Sequence, residues 1–224
     1  MLNACWAAKG GSGTTVVAAA LARLLSGSGS AVIADLAGDI PAALGVVEPT
    51  GAALADWMRA GPEVPLDGLH RIEHDVDPTL TLLPRGQGVL AAGRAEALAA
   101  ALAGAGRPVV VDCGTLVAGD AGATLAATQV AAAAPISLLV IRPCYLALRR
   151  ALSAPCTPTG VVLVHEPGRA MSRADIEDVL GVPVVADVPH EPAIARAVDA
   201  GLLGTRLPRS LSRSLARCLH PTSP

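Results

Sequence analysis

The 224-residue chain contains no phenylalanine, one tyrosine (Tyr145) and two tryptophans (Trp6 and Trp57), so it has almost nothing with which to stack on a base. Nucleic-acid platforms that set several exposed aromatics beside a basic groove are therefore disfavoured, and a net charge of −2 marks no polyanion binder. Lysine and asparagine are nearly missing too: Lys9 stands alone against 16 arginines, and Asn3 is the one asparagine. Together with abundant Ala and Gly, this bias is what a genome rich in G and C produces. It also makes the place of the single lysine informative. The five cysteines (Cys5, Cys113, Cys144, Cys156 and Cys218) form no C-x-x-C pair and read as small core residues in a reducing compartment. No basic residue precedes Lys9 and no small-residue cleavage pattern follows an apolar run, so no signal peptide is expected and the cytoplasm is the expected location. The uncharged stretch 121–141 reaches the ~20 residues of a bilayer span. It is mostly Ala, however, and is interrupted by Thr124, Thr128, Gln129, Pro135 and Ser137. It reads as a buried helix, a turn and a buried strand.

What the chain does have is alternation. Short runs rich in Val, Ile and Leu, as strands buried on both faces require, recur between longer Ala/Leu helical patterns. Strands are predicted at 2–7, 30–35, 80–84, 108–113, 136–142, 160–165 and 184–188. Helices are predicted at 14–26, 52–60, 89–104, 121–133, 145–153, 173–180, 192–200 and 209–219. No long linker or repeat interrupts the pattern, and 61–77 is its least regular part. The expectation is an α/β fold in one domain over 1–224: a single doubly wound, mostly parallel sheet with helices on both faces.

The first predicted strand runs directly into Lys9-Gly10-Gly11-Ser12-Gly13-Thr14-Thr15 and then into a helix. Three glycines let a backbone wrap an anion with its N–H groups inward, the helix presents its positive end, and a Thr hydroxyl can reach Mg²⁺. If composition converts Lys to Arg wherever either serves, position 9 needs a compact ammonium. A second strand ends in Asp112, at the edge where a carboxylate would hold Mg²⁺ through water or cap the next turn. Asp35 and Asp39 are candidates for the metal shell or for orienting a water, with helix capping the alternative for Asp39.

These residues resemble the MinD/ParA group of P-loop ATPases, whose deviant Walker A loop reads K-G-G-x-G-K-[ST]. The resemblance makes Lys9 the signature lysine that reaches the partner subunit's phosphates, and Thr15 the Mg²⁺-binding hydroxyl. It makes Val109-Val110-Val111-Asp112 the Walker B strand. Thr14 stands where the ordinary P-loop lysine belongs, which removes a cation from the β- and γ-phosphates and weakens the expectation of hydrolysis. The CpaE/TadZ-like branch, linked to Flp/Tad pilus assembly and septum-site proteins, shares that departure. Ile33 to Asp39 resembles its second-strand carboxylate region, with Ala37 where a second Asp is usual. The stretch from Met171 to Pro189 resembles its late helix-strand segment.

By this resemblance the chain is an ATP- and Mg²⁺-dependent homodimer switch that positions pilus or septum machinery. A non-hydrolysing scaffold and a DNA-partition protein are the alternatives. Guanine is disfavoured because N-K-x-D needs an Asn before a Lys, and His165 replaces the family's usual base-contacting Asn. The tail 207–219 sets Leu211, Leu215, Cys218 and Leu219 opposite Arg209, Arg213 and Arg217. Such a basic amphipathic helix either lies on the inner face of an anionic membrane, as the end of MinD does, or covers the sheet. Arg142, Arg149 and Arg150 form a second basic cluster, either a DNA patch or a solvated helix face.

Overall fold

The computed structural model describes residues 1–61, 66–119 and 124–219. Its eight strands are β1 (Leu2–Ala7), β2 (Ala31–Asp35), β3 (His74–Asp77), β4 (Leu80–Leu83), β5 (Val109–Thr115), β6 (Ile136–Ile141), β7 (Gly160–His165) and β8 (Val184–Pro189). They form one sheet in the order β3-β4-β2-β5-β1-β6-β7-β8, in which every pair is parallel except β3 with β4. Seven strands lie where the apolar runs predict them. The eighth, β3, falls in the irregular 61–77 stretch: its sequence His-Asp-Val-Asp carries no apolar run, and pairing with β4 supplies what its composition does not.

Helices α1 (Thr14–Ser26), α2 (Ile40–Leu44), α8 (Pro192–Asp199) and α9 (Arg209–Leu219) cover one face of the sheet. Helices α3 (Leu54–Arg59), α4 (Ala95–Ala103), α5 (Leu125–Ala133), α6 (Tyr145–Leu152) and α7 (Arg173–Leu180) cover the other. The two-sided burial follows from strand periodicity. Along β5, Val109, Val111 and Cys113 enter the α4/α5 core while Val110 enters the α1 core. Both tryptophans are used inside: Trp6 is fully buried and its indole N–H donates to Ser137 Oγ at 3.0 Å, tying β1 to β6. The single asparagine is structural as well, since Asn3 Nδ2 donates to Val109 O at 3.1 Å.

Two tail expectations resolve here. Helix α9 forms over the predicted residues, and its apolar side is spent on the fold: Leu211 and Leu215 are fully buried in the core shared with α1 and β8. That packing is the sheet-covering alternative for the tail; the Leu219 side chain lies outside the described residues. Among the described residues no helix is long and apolar enough to cross a membrane. The 121–141 stretch contains α5 and β6, with 121–123 outside the described residues. The basic cluster is divided, because Arg142 pairs with Glu166 at 2.9 Å while Arg149 and Arg150 sit exposed on α6.

One contact binds distant parts of the chain. Gly45 ends α2 in the left-handed region (φ 72°) and Gly201 follows α8 in the same region (φ 63°). Their backbones meet so closely that a Cβ on Gly45 would come 1.9 Å from the Gly201 carbonyl oxygen. Only glycine permits both the conformation and the approach.

Candidate functional site

Strand β1 lies between β5 and β6, and the carboxyl ends of the parallel strands open onto a common crevice, the usual place for a ligand in such a sheet. Loops at that edge are pinned to one another. Leu36 N–H donates to Asp112 O at 2.9 Å, and Leu116 N–H donates to Ala7 O at 2.8 Å. Between β1 and α1 the chain turns through Gly11 (φ 76°) and Gly13 (φ 96°), conformations that an L side chain rarely adopts. Ser12 is buried, and its hydroxyl donates to Lys9 O at 2.7 Å, closing the loop on itself. Gly13 caps α1 without a side chain, so the first helical N–H groups, which lack intrahelical acceptors, face the crevice unobstructed.

A cavity of about 560 Å³ lies against this loop. Gly11, Ser12, Gly13, Thr14 and Thr15 line it, together with Leu36, Ala37 and Asp39 from the end of β2 and with Cys113, Gly114 and Thr115 from the end of β5. Arg85, Thr124 and Ala127 complete the wall. The predicted loop and Asp39 therefore share one space. Gly10 and Lys9 are not among the lining residues, and Lys9 is half-buried at the loop's start.

The three aspartates behave differently. Asp112 is fully buried; its Oδ1 accepts from Gly114 N–H at 3.0 Å, while Oδ2 has no partner at hydrogen-bonding geometry. Burial pushes its carboxyl up to about 7, a rise opposed by the neighbouring Thr15 hydroxyl and reinforced by Asp35. Asp35 is also fully buried, yet both its oxygens are engaged. Oδ1 accepts from Ala37 and Gly38 N–H (2.9 and 2.6 Å), and Oδ2 accepts from Ile40 N–H (3.1 Å). Burial raises its pKa and those bonds lower it. Asp35 thus shapes the 36–40 turn, and ligating a metal would cost it these bonds. Asp39 occupies the N-cap position of α2 without a side-chain cap bond, and it is exposed to the cavity. The capping alternative for Asp39 therefore has no hydrogen bond behind it.

No three His, Cys, Asp or Glu side chains converge as a metal site among the described residues. A cation here would bring most of its oxygen ligands from water and a bound phosphate, the habit of Mg²⁺. Beside the loop lies a second cavity of about 240 Å³, sharing Ser12 and Gly13 with the first. Val16, Val164, Val188, Pro189 and Ile194 give it apolar walls, and Arg142, His190 and Glu191 give it polar ones. His165, by contrast, is exposed at the end of β7 and lines neither cavity.

No protein-family model and no curated protein matches the chain. Solved structures do. MinD cell division protein of Aquifex aeolicus superposes with a TM-score of 0.77 at 19% identity, over 100% of this chain and 98% of that one. The fold is that of the ParA/MinD ATPases. A ParA family ATPase from Chlorobium tepidum TLS gives a TM-score of 0.73 at 20% identity, covering 98% of each chain. MinD complexed with Mg-ADP from Pyrococcus horikoshii OT3 gives 0.75 at 18% identity, over 97% of this chain and 94% of that one. At such identities the ParA/MinD likeness is one of fold, and the chemistry rests on the residues described above.

Sequence reasoning missed Arg85, Thr115, Thr124 and the second cavity. Arg85 left a usable signal: it follows Leu80-Thr81-Leu82-Leu83-Pro84, one residue past the carboxyl end of a predicted strand, which is the edge where ligands bind in this class of sheet. The second cavity left none, since its walls come from four separated segments.

Proposed function

We propose that the chain is an ATP-binding switch of the MinD/ParA type, in which bound Mg·ATP joins two copies and the dimer positions a larger assembly. The observation that carries this reading is the pairing of a glycine loop at the start of α1 with a sealed Asp112 whose Oδ2 lacks a partner beside Thr15. A buried carboxylate oxygen without a donor is costly unless a cation or water completes it.

In this reading Gly10 to Thr15 cradle the phosphates through backbone N–H groups, Thr15 and Asp112 hold Mg²⁺, and the apolar second cavity takes the base. The metal neutralises phosphate charge when bound. Asp39 is placed to orient a water at the terminal phosphate, and Asp35 shapes the turn that presents it. Lys9 lies outside the cavity lining and is assigned to the partner's phosphates across the dimer. The deviant Walker A loop and the affinity with the CpaE/TadZ-like branch belong to the same reading, as do a pilus or septum apparatus as the positioned partner and the cytoplasm as the location. One specific residue favours a second reading, a scaffold that binds nucleotide without turning it over: Thr14 holds the place of the ordinary P-loop lysine.

Lys9→Ala tests the assignment. Sedimentation with Mg²⁺ and ATP is expected to show a dimer for the wild type and a monomer for the variant, with ATP affinity falling several-fold at most. Equal dimerisation of both forms removes the role given to Lys9. Phosphate release by the wild type separates the switch from the scaffold.

A further inference from the structure

The cavity beside the phosphate loop has an imbalance of charge. Asp39 lines it, with Asp35 and Asp112 buried just behind, and a nucleotide would add several more negative charges. The ordinary loop lysine is replaced by Thr14, and Lys9 does not line the space. Among the described residues one cation does: Arg85, from the turn after β4.

Its setting differs from that of six other arginines in the chain. Arg23, Arg59, Arg107, Arg142, Arg169 and Arg173 pair with carboxylates, whereas no ion pair of Arg85 occurs among the described residues. Instead, Nη1 donates to Leu36 O at 2.6 Å and Nη2 donates to Gly88 O at 3.2 Å. Neutral carbonyls fix the plane of the guanidinium and leave its charge uncancelled. A guanidinium has five N–H donors; two are used here, and three remain. The aliphatic stem runs along Gly38 (φ 106°), where a Cβ would come 3.3 Å from Arg85 Cδ, so the backbone of the 36–39 turn itself steadies the arm. A half-buried, preoriented and unneutralised fork lining the cavity beside the glycine loop is the arrangement that binds phosphate oxygens.

We infer that Arg85 is the residue that recognises the terminal phosphate of the bound nucleotide, supplying from the turn after β4 the positive charge that Thr14 does not supply from the loop. This rests on the nucleotide-binding reading given above and adds to it a basis for distinguishing triphosphate from diphosphate. Because Arg85 also holds the Leu36 carbonyl, its engagement reports directly to the turn that carries Asp39.

The test is calorimetric titration of the full chain with Mg·ADP and with a Mg-bound non-hydrolysable ATP analogue. Wild type is compared with Arg85→Gln and Arg85→Lys, and thermal melting of each protein checks the fold. The wild type is expected to favour the triphosphate. Arg85→Gln should lose about tenfold or more in triphosphate affinity while diphosphate affinity changes about twofold at most, with Arg85→Lys restoring part of the preference. A purely structural role would weaken both ligands together. Equal losses, or no loss, in a folded Arg85→Gln overturn the inference while leaving nucleotide binding intact. A wild type that binds neither ligand overturns the nucleotide reading itself, and this inference with it.

Discussion

A carboxylate sealed from solvent with one oxygen satisfied and the other bare is a source of instability in the ligand-free protein, and Asp112 is in that position. Its folded pKa of about 7 lies above the unfolded 3.8, so between those values the folded chain holds a proton that the unfolded chain has released. Stability contributed by the protonated group is therefore full below about pH 4 and lost as pH rises to about 7. Asp112→Asn should remove that loss. In urea unfolding at pH 8 without ligand the variant is expected to be more stable than the wild type, by up to about 4 kcal/mol, with the difference shrinking toward pH 4. The same variant should lose the Mg²⁺ dependence of nucleotide binding. Asp112 was legible in the sequence because three valines in a row lead to it, although β5 runs on past it to Thr115. Asp35 was legible as a strand-end carboxylate but not as the organiser of a turn, since its three acceptor bonds depend on how residues 37–40 fold back.

At the level of elements, helix α9 has the composition of a membrane helix and the packing of a core helix. Pattern alone does not separate the two, because an apolar stripe looks the same whether it meets lipid or a sheet. Burial separates them: Leu211 and Leu215 are fully enclosed against the α1 side of the sheet, and Ser210 Oγ donates to Glu191 Oε2 at 2.8 Å. Leu215→Ala should accordingly destabilise the fold by about 2–5 kcal/mol in chemical denaturation. Pelleting with anionic vesicles should be as low for the wild type as for Arg213→Ala; strong pelleting of the wild type alone would contradict the assignment. Strand β3 and helix α2 escaped the sequence for a related reason. Both are short, and each is stabilised by neighbours: β3 by pairing with β4 and by the ion pair of Arg23 with Asp77, α2 by packing on α1.

Across the whole molecule, the alternation of strands and helices was enough to reach the parallel sheet, because two-sided burial leaves the same apolar signature in every inner strand. Strand order was not legible. Nothing in the residues of β5 announces that it inserts between β2 and β1, and that insertion is what brings Asp112 beside the loop after β1. The contact of Gly45 with Gly201 acts at this scale. Asp39 stands at the start of α2 and Gly45 at its end, so a side chain forced in at 45 or 201 would push the short helix as a unit. Gly201→Ala is expected to lower the melting temperature and, in isothermal titration, to weaken the nucleotide, whereas Asp39→Ala removes a negative charge from the cavity and should not weaken it. Two residues that line no part of the larger cavity would then constrain its chemistry as tightly as those that do. A map of tolerated substitutions should show an island of intolerance on the α2/α8 surface with no ligand beneath it.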